Sequence, residues 1–531
     1  MNSFYLMCIV FIVLIIRLTP RLIFRNIYSF RDDSWHVFVA AHAIRKNHHK
    51  IPKKIDNYIL ENEHDYPPLL PWLLSFLTKS QIGKFEKYIP AIIDSLYAIL
   101  FWYFAKHVLN AIYVANTQLL FLSTIYFITY PLFFFIGKGP RTFKISPRIL
   151  SEFFVSCYAI SLLLFVTTNQ NIWIILVIIS GLFQALTNRF GLQVIILFSI
   201  FIGVLFNSLW IVCLPFLIIS LMFILFGRMW GRMLSGFIGH GIFMRKYWYN
   251  PKRNLNLIQK GKKLNKKSGG LLSRIFQTYI KNRIIISLLH SPGIWLSLFG
   301  IFYLFVTNNS FDINPILLFC IFWTCTSVFM MILFSIPDLI FWGTGDRYLY
   351  YSIPFQVIIL VYVIVQLNLP YVYFYFLITL NLIPFLLNIL LLYRINKGNQ
   401  KLQKKEEEFY NWLRTFNSEL RILPILGGKA HKFVYKLQCC VLDVEYSYRP
   451  WIFSENKTTE LFAGYGYPNP KNIENILTSY NINLIICYKN SIETAKQHEI
   501  FYDFSSYTLE FENEVFSAYS CNLFEHNSTN N

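Results

Sequence analysis

The sequence predicts a mainly α-helical, polytopic membrane protein: a transmembrane helical bundle of about eleven spans, give or take two, followed by a C-terminal soluble α/β domain. Three observations predict it. Of the 531 residues, 55% are hydrophobic and only 14% are charged, where soluble chains carry about 25% charged residues. The apolar residues gather into long runs without period-two alternation, 194–206 for example, which fits helices that span a bilayer and excludes the strands of a membrane β-barrel. Near residue 394 the composition turns polar and mixed.

The first apolar run, 4–24, is interrupted by Arg17 and Arg21. It is too long for the core of a signal peptide and has no small-residue cleavage site, so it reads as an uncleaved first helix, with Arg17 able to snorkel to a headgroup. Residues 25–85 form a polar loop. Asp32 or Asp33 can cap a short helix in which Val37, Ala40, Ala41 and Ile44 recur at three-to-four spacing, ended by Arg45, Lys46 and Lys50. That amphipathic helix is expected on the membrane surface. Pro67, Pro68 and Pro71 then turn the chain back toward the bilayer. Further runs lie at 86–108, 112–136, 149–167, 171–187, 190–206 and 208–226, with a short basic loop at 137–148. Several fall short of the roughly 20 residues of a full span, which predicts tilted or broken helices. Residues 227–283 are basic and contain no Asp or Glu. A second block has runs at 284–306, 314–335, 348–366 and 370–393. Beyond it, Lys404–Glu408 is read as opening a helix whose Phe409, Leu413 and Phe416 share a face, residues 470–480 as a helix and 484–488 as a buried strand.

The net charge is +20. In a membrane chain it reads as basic loops at anionic headgroups, or as cations that hold a phosphate-bearing lipid, rather than as a nucleic-acid surface. The nine cysteines include no CxxC and five lie in apolar runs, so neither a zinc site nor a disulfide framework is indicated. The last four could allow one bridge, with Cys439 and Cys440 on opposite sides of a strand. No cofactor and no metal site is predicted.

Chemistry-bearing residues collect at the membrane boundaries. Asp32 and Asp33 are two carboxylates where a helix cap needs one, and sugar transfer needs a carboxylate to take the acceptor's proton. His36 is three residues after Asp33 and shares its helix face, where it can orient the carboxylate, contact a phosphate or simply sit at the interface. His42, His48 and His49 are read as solvated. In His64-Asp65-Tyr66-Pro67-Pro68 the prolines hold the chain extended, which suits aiming Asp65 or Tyr66 at a substrate and equally suits a plain helix start. Arg148 and Glu152, at i and i+4, open a membrane run. Arg189 stands between two apolar runs, and Arg347 between Asp346 and Tyr348. Each arginine can grip a phosphate bidentately or anchor a boundary.

The order of these pieces is Asp-Asp-x-x-His after one apolar helix, Ile51-Pro52, Tyr66-Pro67-Pro68-Leu69, Pro147-Arg148-Ile149-Leu150-Ser151-Glu152, Leu186-Thr187-Asn188-Arg189, then Asp346-Arg347-Tyr348-Leu349 before Pro354. It resembles the GT-C superfamily of integral-membrane glycosyltransferases, nearest the bacterial protein O-mannosyltransferase and lipid A aminoarabinose transferase-like enzymes. The resemblance spans about residues 1–393, and a trailing α/β domain is usual there too. It implies a catalytic domain at 1–393 with its external loop at 25–85, and an extracytoplasmic domain at 394–531. It implies a sugar donor linked to polyprenyl phosphate, a lipid, glycan or protein acceptor, and a site on the outer face of a bacterial inner membrane. It also makes an acidic residue of the first external loop the catalytic base. Many members have Asp-Glu where this chain has Asp32-Asp33; Asp33 is favoured because Asp-x-x-His puts it nearest His36. The reading of the residues and the resemblance together make His36, His64, Asp65, Tyr66, Arg148, Glu152, Arg189, Arg347 and Tyr348 the candidate substrate-binding residues. With eleven spans the basic loops all share one side, which the positive-inside tendency reads as cytoplasmic. The external assignment is adopted because a site for phosphate-linked lipids needs cations. A transporter or lipid flippase is the competing class, but no two similar halves with matching broken helices are seen.

Overall fold

A computed structural model describes residues 2–24, 33–60, 64–112, 116–134, 145–243, 290–307, 314–336, 339, 343–416, 419–425, 430–442, 460–464, 467–497 and 499–521. Asp32, most of the basic loop 137–148 and the basic stretch beyond 243 lie outside them. Helices run in the order α1 (Asn2–Ile23), α2 (Asp33–Lys46), α3 (Leu69–Ser75), α4 (Lys79–Phe85), α5 (Ile89–Ile112), α6 (Thr117–Ile128), α7 (Pro147–Thr168), α8 (Asn171–Thr187), α9 (Arg189–Leu205), α10 (Leu209–Phe243), α11 (Pro292–Thr307), α12 (Pro315–Leu333), α13 (Ile353–Gln366) and α14 (Val372–Leu413). Among the described residues eight helices are long and apolar enough to cross a membrane, and three shorter ones, Asn171–Thr187, Arg189–Leu205 and Pro292–Tyr303, are apolar too. The chain is an integral membrane protein. Two of the three shorter helices coincide with the short runs 171–187 and 190–206, whereas the short runs 149–167 and 208–226 lie within the longer helices Pro147–Thr168 and Leu209–Ile242.

The chain divides into two compact units, the first made of Met1–Arg25, Gly83–Gly227 and Lys266–Tyr393, the second of Asn26–Ile82, Arg228–Asn265 and Arg394–Asn531. One division falls at Gly227, whose φ of 44° and ψ of −119° interrupt α10, a backbone region that glycine enters without a Cβ clash. Another falls inside α14, which continues unbroken from the membrane run into the polar stretch. The separate helix expected to open at Lys404 is therefore the end of α14, which runs through Gly398 and Asn399: a glycine costs a helix only about 1 kcal/mol, and the Lys, Glu and Gln around it are good helix formers.

The first unit is a helical bundle with an aromatic core around Trp102, Trp323, Phe198 and Phe355. Arg17 does not snorkel. It is 2% exposed, and its Nε donates to Asp94 Oδ2 at 2.6 Å, joining α1 to α5. A second guanidinium nitrogen donates to the Ile128 carbonyl at 3.1 Å, and the rings of Phe133 and Phe134 lie beneath it. The correction follows from depth: Arg17 is buried between helices, where a carboxylate is the favourable partner.

The second unit is built on a sheet of order β2-β1-β5-β7-β6, from β1 (Arg421–Ile425), β2 (Cys440–Val441), β5 (Leu484–Tyr488), β6 (Thr508–Glu512) and β7 (Phe516–Ser520); β3 (Phe462–Gly464) and β4 (Tyr467–Pro468) pair separately. β1 pairs parallel with β2 and β5, while β7 pairs antiparallel with β5 and β6. Helices α15 (Ala430–Leu437), α16 (Ile473–Ser479) and α17 (Lys489–Gln497) complete it. The polar loop belongs to this unit. Asn57 and Ile59 exchange backbone hydrogen bonds with Val441, each 2.9 Å, extending the β2 edge. Val39, Ala40 and Ile55 share a core with Phe409, Leu413, Phe433 and Phe516. The apolar face of α2 is accordingly covered by protein. Val37, Ala40, Ala41 and Ile44 are all buried, which corrects the expectation of a helix lying on the membrane surface. All nine cysteines are free.

Candidate active site

In the second unit Asp33 is the first residue of α2. His36, one turn on, is 6% exposed. Its ring meets Tyr66 edge-on at 4.3 Å and His431, from α15, at 5.2 Å. His431 is itself hydrogen-bonded through Nδ1 to the Tyr58 hydroxyl at 2.6 Å. His36, Tyr66, His431 and Tyr58 therefore form one cluster drawn from three separate stretches of chain. His64 and Asp65 are buried at 8% and 7% exposure, and the His64 backbone donates to the Lys53 carbonyl at 2.7 Å. The Asp65 carboxylate occupies the space that a side chain on Gly236 would need, its Oδ2 being 1.8 Å from where a Cβ would stand. Glycine at 236 thus lets the second half of α10 approach Asp65. Beside the cluster, Lys432 forms a buried ion pair with Glu406. His49 is not solvated as expected: its Nδ1 is 2.9 Å from Ser75 Oγ and its ring stacks on Phe76.

In the first unit three separate stretches meet. Ser146 caps α7 by accepting from the Arg148 backbone at 3.2 Å, with Pro147 in the first turn, a standard helix opening. It sets Arg148 half-exposed and Glu152 buried at 6%. Asn188 caps α9, its Oδ1 accepting from the Phe190 backbone at 2.7 Å, so that Arg189 takes the first helical position, also half-exposed. The third stretch is the 3-10 turn Gly345–Ser352 ahead of α13. It carries buried Asp346, half-exposed Arg347 and fully buried Tyr348.

Direct contacts tie the three together. Tyr351 Oη is 3.2 Å from Ser151 Oγ on α7. Gln193 on α9 donates to the Tyr348 hydroxyl at 2.7 Å. The Phe190 ring lies 4.8 Å from Tyr348, and the Arg347 guanidinium stands 5.7 Å over it. Gly343, at φ 126°, passes so close to Phe190 that a Cβ would come within 2.6 Å of the ring. Gly191 leaves room for Gln184 and Ser151. Arg148, Arg189 and Arg347 thus stand on elements that pack on one another. Tyr348 supports this arrangement from within the core. Nothing in the sequence singles out Phe190, Gly191, Gly236, Tyr58 or His431, because their roles depend on tertiary neighbours. Among the described residues no three His, Cys, Asp or Glu are grouped to hold a metal ion.

No family model matches the sequence, and no curated protein matches it. Fifteen chains of known structure match the fold. Among them is the apo crystal structure of the oligosaccharyltransferase of Archaeoglobus fulgidus, which aligns over 94% of this chain and 71% of its own, with a TM-score of 0.55 and 12% sequence identity. The likeness is one of architecture: the chain shares the fold of that membrane protein, with apolar helices and a C-terminal region of sheet and helices.

Proposed function

We propose that the protein is a glycosyltransferase that moves a sugar from a polyprenyl-phosphate-linked donor to a lipid, glycan or protein acceptor at the outer face of a bacterial inner membrane. What supports this reading is that Arg148, Arg189 and Arg347 stand on elements that pack on one another, in a fold shared with an oligosaccharyltransferase. In the proposed reaction a carboxylate of the Asp32-Asp33 pair, Asp33 by preference, takes the proton of the acceptor hydroxyl or amine. The freed lone pair attacks the anomeric carbon, the bond from that carbon to the phosphate oxygen breaks, and the polyprenyl phosphate departs with the electron pair. Guanidinium groups suit the negative charge that grows on the departing phosphate, since they make charge-assisted, bidentate hydrogen bonds. His36 orients the carboxylate, and His64, Asp65 and Tyr66 shape the acceptor side. Glu152 and Tyr348 hold the arginine-bearing elements in register.

The test is turnover of a lipid-linked sugar by the purified protein and its variants. Asp33→Asn keeps the size of the side chain and much of its capping ability, but cannot accept a proton. It is expected to be produced normally and to lose about 10²–10⁴-fold in rate, with Asp32→Asn losing much less. A dead Asp32→Asn with an active Asp33→Asn would exchange the two roles. Wild-type turnover by both single variants and the double variant would overturn the reading. Solute movement into proteoliposomes without sugar transfer would favour a transporter.

A further inference from the structure

A groove of about 650 Å³ runs between α1 and α5 in the first unit. One wall is α1, with Met7 and Phe11 72% and 64% exposed; Trp102 of α5, only 2% exposed, lies at its base. Its polar groups sit at one end, where Ser3 and Lys106 face each other across the two antiparallel helices. The other end closes at Leu14, one turn before the buried Arg17–Asp94 pair. Ser3 and Leu14 are eleven residues apart. At 1.5 Å per residue the groove is therefore about 16 Å long, close to the roughly 15 Å of one leaflet's hydrocarbon. Lys106 forms no ion pair among the described residues, and Asp94, the acidic residue of α5, is engaged by Arg17.

We propose that this groove is a binding site for one anionic phospholipid, with an acyl chain along Met7, Phe11 and Leu14 and the phosphate on Lys106. The length decides the tail: a groove one leaflet deep takes an ordinary acyl chain and ends against the ion pair, where a polyprenyl tail would overrun it. The charge decides the head: Lys106, with no ion pair among the described residues, stands at the end of an apolar slot and favours a net negative headgroup over a zwitterionic one. The site is independent of the proposed transferase reaction. Its occupant braces α1, the helix that leads to the Asp32-Asp33 segment.

The test is native mass spectrometry of the detergent-purified full chain titrated with dioleoylphosphatidylglycerol or dioleoylphosphatidylcholine. The wild type is expected to retain one phosphatidylglycerol about fivefold more tightly than phosphatidylcholine, the ratio that about 1 kcal/mol per basic residue gives. Lys106→Gln should erase the preference yet still bind either lipid, and Lys106→Arg should keep it, which separates charge from folding. Val10→Trp, which fills the groove, should lose both lipids. Equal retention of the two lipids by the wild type, or retention unchanged in Val10→Trp, would overturn the proposal. So would lipid-free dimers that Val10→Trp dissociates, since a second copy of the chain would then be the occupant.

Discussion

Arg17 and Asp94 place opposite charges 2.6 Å apart between α1 and α5, each at most 3% exposed. Removing one partner of such a pair leaves the other charge in apolar surroundings and costs about 3–5 kcal/mol, whereas replacing both by apolar side chains of similar volume is often neutral or stabilising. Asp94→Asn should therefore lower the melting temperature of the detergent-solubilised protein sharply, and Arg17→Met combined with Asp94→Leu should restore most of it. A single variant that melts with the wild type would mean that the pair carries no stability. The sequence makes Arg17 conspicuous but not its partner, because Asp94 lies 77 residues away and only the pairing of two helices brings it near. The arginine cluster divides in the same way. Pro147 and Asn188 mark helix starts, so the boundary positions of Arg148 and Arg189 are legible in the chain. That the elements carrying them pack against the turn that carries Arg347 depends on tertiary structure, which no local pattern encodes.

At the scale of elements, α2 is the clearest case. Its apolar spacing predicts a helix after Asp32 or Asp33 with Val37, Ala40, Ala41 and Ile44 on one face, but amphipathicity says only that something covers that face. The cover comes from α3 and α15 and, at Val39 and Ala40, from the core shared with α14 and the sheet, and pH should report on it. Burial, then the charges of Lys46, Lys79 and Arg45, hold the His42 imidazole below its ordinary 6.5, and its Nε2 is buried without a hydrogen-bond partner among the described residues. Between the lowered folded value and 6.5 the unfolded chain binds more protons than the folded one. The stability is thus complete above pH 6.5 and is lost as the pH falls from there toward the folded value. Melting curves of wild type and His42→Gln across pH 7 to about 5 should converge in acid, the variant losing less stability. Parallel curves would remove His42 as a contributor.

At the scale of the whole chain, the loop that the sequence marks as the seat of chemistry is not a free connector between two spans. Residues 26–82 and 394–531 fall in one compact unit. They share the edge formed by Asn57–Ile59 on β2 and a core in which Val39, Ala40 and Ile55 pack with Phe409, Phe433 and Phe516. Hydropathy reading cannot reveal this, because it follows the chain in order and sees a polar insert and a polar tail about 300 residues apart. The consequence is testable by truncation. Ending the chain at Arg394 removes β1, β2, α15 and the residues that share a core with Val39, Ala40 and Ile55, Phe409, Phe433 and Phe516 among them, while α3 and the membrane runs up to Tyr393 remain. Burial of a single large core side chain such as Phe433 is worth about 3–5 kcal/mol, and the truncation removes several at once. Residues 33–60 should then become rapidly cleaved in limited proteolysis of the purified truncated protein, although it still inserts in the membrane. Sugar transfer should fall to background for every acceptor, a small soluble one included, because the loop with Asp33 has lost its support. If the truncated chain kept residues 33–60 resistant and transferred sugar at the full rate, the tail would be dispensable to the loop and the shared core would contribute nothing to its order.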